Sequence, residues 1–207
     1  MELFNADQRF SLSYAAYDLA EDLDIRFKAY DISTGTAVFL ETLNASFVAL
    51  GTYETSYIPE AGKIYLFIGL AYTGSIPTPY RAPVVYTYRE VGSLMLATAY
   101  ATYDQNNALY LQTSIYDAST STPAFIQNTS MVLVDFGVYL AMYIGASGKS
   151  YQFLSAVYDS SYTTVDPNRA PLADSMDVVG DVTVVIELQD AVLEGQELNA
   201  TLEAYVA

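Results

Sequence analysis

The chain is written twice. At an offset of 86, residues 14–75 fall on residues 100–161 without a gap and agree at 22 of 62 positions. The matches include Tyr14/Tyr100, Tyr17/Tyr103, Asp18/Asp104, Tyr30/Tyr116, Asp31/Asp117, Phe39/Phe125, Gly51/Gly137 and Tyr53/Tyr139. Gly62-Lys63, Tyr65 and Phe67 return as Gly148-Lys149, Tyr151 and Phe153. A two-residue insertion then moves the offset to 88, where Pro79, Arg81, Ala82 and Pro83 meet Pro167, Arg169, Ala170 and Pro171. Such a duplication restricts the chain to a fold whose unit of about 90 residues can close a core of its own. It predicts one domain over 1–92, including an N-terminal arm, and a second over 93–180. Residues 199–205 alternate as Asp24–Tyr30 does, which predicts a C-terminal hairpin or arm over 181–207.

Within each copy the apolar period is two. Leu23, Ile25, Phe27 and Ala29 alternate with Asp24, Arg26 and Lys28, and Phe10, Leu12 and Tyr14 alternate with Ser11 and Ser13. That is the pattern of strands with one buried face. Breakers recur at Ser33-Thr34-Gly35, Asn44-Ala45, Pro59-Glu60-Ala61-Gly62 and Gly74-Ser75-Ile76-Pro77. Seven short strands per copy predict an all-β chain of two tandem immunoglobulin-like antiparallel sandwiches plus the C-terminal hairpin. Residues 19–23 read as a hairpin loop.

Comparing the copies separates predicted inside from outside. Tyr53, Tyr57, Tyr65 and Phe67 recur, while their neighbours Glu54, Ser56, Ile64 and Leu66 become Leu140, Met142, Ser150 and Gln152. Shared positions are therefore expected in the core and differing positions on outer faces. The first copy then carries an outer row of Ile64, Leu66, Ile68 and Leu70, and the second a row of Val138, Leu140 and Met142. Apolar rows of this length are rare on a free surface, so both are expected to be covered, between the two domains or between subunits. The terminal arms, through Leu3 and Phe4 and through Leu198, Leu202 and Tyr205, are expected to add strands to a neighbour's sheet.

Composition excludes much chemistry. With no Cys and no His among 207 residues, disulfides, thiol nucleophiles, zinc–thiolate sites and histidine-dependent triads are ruled out. Eight Lys and Arg against 24 Asp and Glu give a net charge of −16, which repels nucleic-acid backbones and anionic membranes. Neither a G-x-S-x-G elbow nor a glycine-rich phosphate loop is present. The longest apolar run, Ile64 to Tyr72, falls well short of the ~20 residues that span a bilayer. The start at Met1 has no basic and apolar leader pattern, so export by a signal peptide is not expected.

Three groups invite a ligand. Asp18, Glu21, Asp22 and Asp24 crowd one loop, as a Ca²⁺ site would, but without EF-hand spacing, and the second copy offers Asp104-Gln105-Asn106-Asn107 there. Asp166, Asn168, Asp174 and Asp177 form a second acidic group where the first copy has Thr78, Tyr80, Tyr86 and Arg89. Tyr86 and Tyr88 could present a solvent-facing pair to a sugar. The ordinary reading is a solvated loop for the acids and a core for the tyrosines, so no catalytic, cofactor or metal residue is assigned. The Pro-x-Arg-Ala-Pro segments are expected to fix a crossover, with each Arg paired to a carboxylate or carbonyl.

The repeated Tyr-Asp strand ends (Tyr30-Asp31, Tyr116-Asp117), the Gly-Lys-x-Tyr turns, and Tyr158-Asp159 leading to Asp166-Pro167-Asn168-Arg169 resemble immunoglobulin-like modules in structural proteins of tailed bacteriophages. The resemblance implies a non-enzymatic virion component, made in the host cytoplasm, for capsid decoration, neck or tail. Its implied partners are other copies of itself or other virion proteins, with no cofactor, small-molecule substrate, nucleic acid or membrane. The alternatives are a cell-surface adhesin or carbohydrate-binding module, and a self-polymerising fibre subunit.

Overall fold

In a computed structural model, residues 9–73, 78–90 and 93–178 are described, together with the backbone of 2–4 and 185–186. Regular structure among them is all strand, arranged in several largely antiparallel sheets. The first half holds β1 (Glu2–Phe4), β2 (Phe10–Ala15), β3 (Asp24–Asp31), β4 (Val38–Asn44), β5 (Ser46–Ala49), β6 (Thr52–Tyr57), β7 (Ile64–Tyr72) and β8 (Val84–Glu90). The second holds β9 (Met95–Ala101), β10 (Tyr110–Asp117), β11 (Ala124–Ser130), β12 (Val132–Asp135), β13 (Val138–Ile144), β14 (Lys149–Tyr158), β15 (Leu172–Val178) and β16 (Val185–Ile186).

The two halves pair their strands alike. The first builds a sheet β1-β8-β7-β3-β4 and a sheet β2-β6-β5; the second builds β16-β15-β14-β10-β11 and β9-β13-β12. The chain passes from one sheet to the other between β2 and β3, so residues 19–23 lie in a crossover rather than in the expected hairpin loop. Strand β1 runs parallel to β8, with Leu3 opposite Arg89 and Phe4 opposite Glu90. Strand β16 runs antiparallel to β15. The arm segments within the described residues thus pair with the chain's own sheets; of the expected hairpin over 181–207 only this short strand is described, and Leu198, Leu202 and Tyr205 lie outside the described residues.

Alternation turns one face of each strand inward. In the first half Phe10, Leu12, Ile25, Phe27, Tyr65 and Phe67 share one core between its two sheets. Its rings pack by edge and by face, with Phe10 stacked 4.1 Å from Tyr88 and Phe67 edge-on to Tyr57 at 5.1 Å. The second half divides its core in two. Leu96, Ile115, Tyr151 and Phe153 belong to one cluster, and Tyr100, Leu111, Tyr139 and Val157 to another. Between them lie buried Thr98, Thr113 and Ser155 with Asp174, where the first half has Leu12, Phe27, Gly69 and Tyr86. Gly69 is required there, because a Cβ would sit 2.6 Å from the Phe27 ring. Replacing Phe27 by Thr113 makes room for Ser155, and their hydroxyls hydrogen-bond at 2.8 Å.

Several identities between the halves are polar staples of this frame. The Tyr53 hydroxyl accepts from Leu23 N–H and donates to Ala20 C=O, as Tyr139 does with Leu109 and Asn106. Tyr65 accepts from Glu60 N–H at 2.7 Å, and Tyr151 from Ala146 N–H at 2.8 Å. Tyr14 donates to Ala82 C=O and Tyr100 to Ala170 C=O. Ser33 and Ser119 each accept from the first residue pair of the strand opposite, Ile64 N–H and Ser150 N–H. Gly51 and Gly137 are left-handed, and a Cβ at either would lie 2.6 Å from the Cα of Leu19 or Gln105. Leu19 and Gln105 are themselves left-handed, at φ 57° and 53°, so the same close turn is built twice.

Candidate functional site: a closed seam and two exposed margins

The outward row of β7 is covered within the chain. Ile64, Leu66, Ile68 and Leu70 are buried in one cluster with Ala97, Val138 and Leu140 of the second half. Met142 packs partly buried against the same cluster. These seven expected interface residues therefore meet across a seam between the halves and are not available to another subunit. The side chains of Leu3 and Phe4 lie outside the described residues.

Polar contacts fix the seam's register. Asp135, the last residue of β12 in the second half, pairs with Lys28 and accepts 2.8 Å from the Tyr30 hydroxyl, both on β3. Lys28 also lies 4.5 Å from the centre of the Phe136 ring. Gln105 donates its side-chain amide to Arg81 C=O. Arg89 is fully buried and donates to Ser93 C=O at 3.1 Å and to Asp177 C=O at 3.0 Å. Burial lowers its pKa to about 10, against the opposing pull of Asp177.

The acidic groups serve the frame. Asp18 is held by both terminal nitrogens of Arg81 at 2.7 and 2.8 Å, and Asp104 by those of Arg169 at 3.2 and 2.6 Å. The Arg81 hydrogen bond lowers the Asp18 pKa to about 2. Asp24 pairs with Arg26. Among the described residues no group of three or more acids converges as a metal site would. In the second acidic group, Asp166 caps its own turn by accepting from Asn168 N–H at 2.9 Å. Asp174 accepts from Thr98 inside the second half, and burial pushes its pKa up against that hydrogen bond. Tyr88 is buried and Tyr86 is half-buried, its hydroxyl donating 2.7 Å to Ser13 C=O, so they do not form the solvent-facing pair a sugar would need.

What remains exposed repeats as well. Phe39 is 53% exposed and Phe125 57%, each edge-on to a tyrosine, Tyr30 or Tyr116, at 5.7 Å and 70°. These two matched positions are surface, against the expectation that shared positions are core. Also exposed are Val38, Phe47 and Val48 in the first half and Ile126, Val132 and Leu133 in the second. All stand on β4, β5, β11 and β12, the strands at one margin of each sheet. The chain steps from sheet to sheet between β4 and β5 and between β11 and β12; Leu40 and Leu43 of β4 pack on the first core and Val134 of β12 on the seam, while the side chains named above stand open. A second matched pair, Tyr17 and Tyr103, is 84% and 72% exposed, each ring stacked on the arginine that holds the neighbouring aspartate. The signal in the sequence was identity between copies at Phe39/Phe125 and Tyr17/Tyr103; core and surface identities look alike until burial is known.

No protein-family model matches the chain, and no curated protein matches it.

Proposed function

We propose that the chain is a non-enzymatic structural component of a virus particle, built as two immunoglobulin-like sandwiches joined face to face. Three features support the immunoglobulin-like reading. The strand order recurs in both halves, β1 runs parallel along β8, and Tyr65 and Tyr151, near the start of their strands, bond back five residues to the backbone, the tyrosine corner of such sandwiches. The observation that carries the function is the pair of apolar margins around Phe39 and Phe125. Apolar side chains on exposed sheet edges invite pairing and aggregation unless a partner covers them. Their partners are neighbouring subunits of the particle.

The test has two arms. Mass spectrometry of purified particles encoded beside this chain should find it as a stoichiometric component. The double variant Phe39→Lys/Phe125→Lys should melt within about 1 kcal/mol of the parent, since both sites are surface, yet be lost from particles. Absence of the parent chain from particles, or full incorporation of the variant, overturns the reading.

Exposed Tyr17 and Tyr103 favour a second reading, an adhesin that stacks sugars on aromatic rings. A glycan array separates the two: specific binding abolished by Tyr17→Ala/Tyr103→Ala supports the adhesin, and an empty array supports the scaffold.

A further inference from the structure

We infer that the seam is a head-to-tail contact made once per chain, and that the two faces which would extend it to a second copy are built as polar stops. The inference concerns how copies of this chain can meet and holds whatever particle or ligand the chain serves. In the seam, the outer face of β7 and its sheet in the first half lies on the outer face of β9 and β13 in the second. These are different faces of equivalent units. A heterologous contact of this kind leaves one copy of each face unused, and repetition of the same rotation would give an open filament.

The unused faces differ from the used ones position by position. On the second half, Ser150, Gln152, Leu154 and Ala156 stand where the first half has Ile64, Leu66, Ile68 and Leu70. All four seam residues are buried and all four counterparts are partly open. On the first half, Ser11 and Ser13 stand where the second has Ala97 and Ala99, and Thr52, Glu54 and Ser56 where it has Val138, Leu140 and Met142. On β9 and β13 these apolar seam residues have thus become polar on the free counterpart, whereas Val134 and Phe136, which also pack on the seam, correspond to the exposed apolar Val48 and Leu50.

The polar contacts change in step. Lys28 corresponds to Ser114, and Asp135 to Ala49, so neither free face offers its half of the Lys28–Asp135 pair. Gln105, which reaches Arg81 across the seam, corresponds to Leu19. Arg89, buried against the second half, corresponds to Asp177. Ion pair, amide contact and buried arginine are all absent from the positions a third unit would use, and the apolar rows there are broken by Ser150 and Gln152 on one face and by Thr52, Glu54 and Ser56 on the other. Arrays of stacked repeats end in the same way, with terminal units whose outer face is polar.

Two variants of the full chain test this. One carries Ser150→Ile and Gln152→Leu; the other carries Thr52→Val, Glu54→Leu and Ser56→Met. Each alone should keep the parent's mass by light scattering, because its new apolar face has no complement. An equimolar mixture should form a complex of twice that mass, and the five substitutions in one chain should give filaments by electron microscopy. Folded variants, judged by parental circular dichroism, that stay separate on mixing overturn the inference. A second pair covers the case of misfolding. Gln152→Lys with Ser56→Lys should leave the parent's mass and melting midpoint unchanged, whereas a fall in the parent's own oligomeric mass on these changes would show that the free faces are contacts already.

Discussion

Asp174 stands at a position that the first half fills with Tyr86, and it brings a carboxylate into the waist of a sandwich. Burial raises its pKa above the ordinary 3.8. A carboxyl group whose folded pKa is raised binds its proton more tightly in the native state, so its contribution to stability is complete below the unfolded value and is lost as pH rises through the folded one. Asp174→Asn should therefore raise the melting midpoint at pH 7 relative to the parent and bring the two together near pH 3. Scanning calorimetry across that range checks it. Asp18 and Asp117 act in the opposite sense. Hydrogen bonds from Arg81 and from Lys149 hold each at about 2. Their contribution is present above 3.8 and disappears as pH falls toward 2, and both lie in solvent, so added salt should weaken it. Tyr65→Phe strands the Glu60 N–H beside a buried ring and should cost about 1–3 kcal/mol in urea unfolding.

At the scale of elements, alternation made the strands legible before any coordinates. Ile25, Phe27 and Ala29 turn inward from β3, as their spacing required. Gly51 and Gly137, identical between the copies, stand at turns where a close approach tolerates no side chain, a role that identity alone did not disclose. Which strands share a sheet was not legible. Partners such as β2 and β6 are brought together across dozens of residues, and alternation carries no address for a distant strand. The exposed margins were missed for a related reason. Val38 and Phe39 have the ordinary apolar content of a strand, and only their place at the end of a sheet leaves them open. The terminal arms were read as donors to neighbours because unpaired edges need partners; the short segments described, β1 and β16, lie on the chain's own β8 and β15. The arginine of the Pro-x-Arg-Ala-Pro segment was expected to meet a carboxylate or carbonyl, but its partner Asp18, 63 residues away, was not legible; in space Arg81 and Arg26 pair with Asp18 and Asp24.

For the molecule as a whole, equivalent residues have unequal weight. Leu66 sits in the seam and its counterpart Gln152 on a free face. Leu66→Ala should cost about 2–5 kcal/mol, while Gln152→Ala should stay within about 0.5 kcal/mol, both read from the same denaturation curves. Because the seam couples the halves, the intact chain should unfold in one calorimetric transition. Residues 1–92 expressed alone should bare Ile64, Leu66, Ile68 and Leu70 and bind a hydrophobic dye that the full chain does not. Two separated transitions, or a dye-silent fragment, would show that the halves are independent.

A fixed joint makes the molecule a caliper. Phe39 and Phe125 ride on halves clamped through Lys28, Asp135 and Arg89, so the gap between the two aromatic grips does not vary with thermal motion as it would across a supple tether. A lattice whose own sockets recur at that gap can be gripped at both points with little further loss of freedom. One with a different pitch can be held at only one.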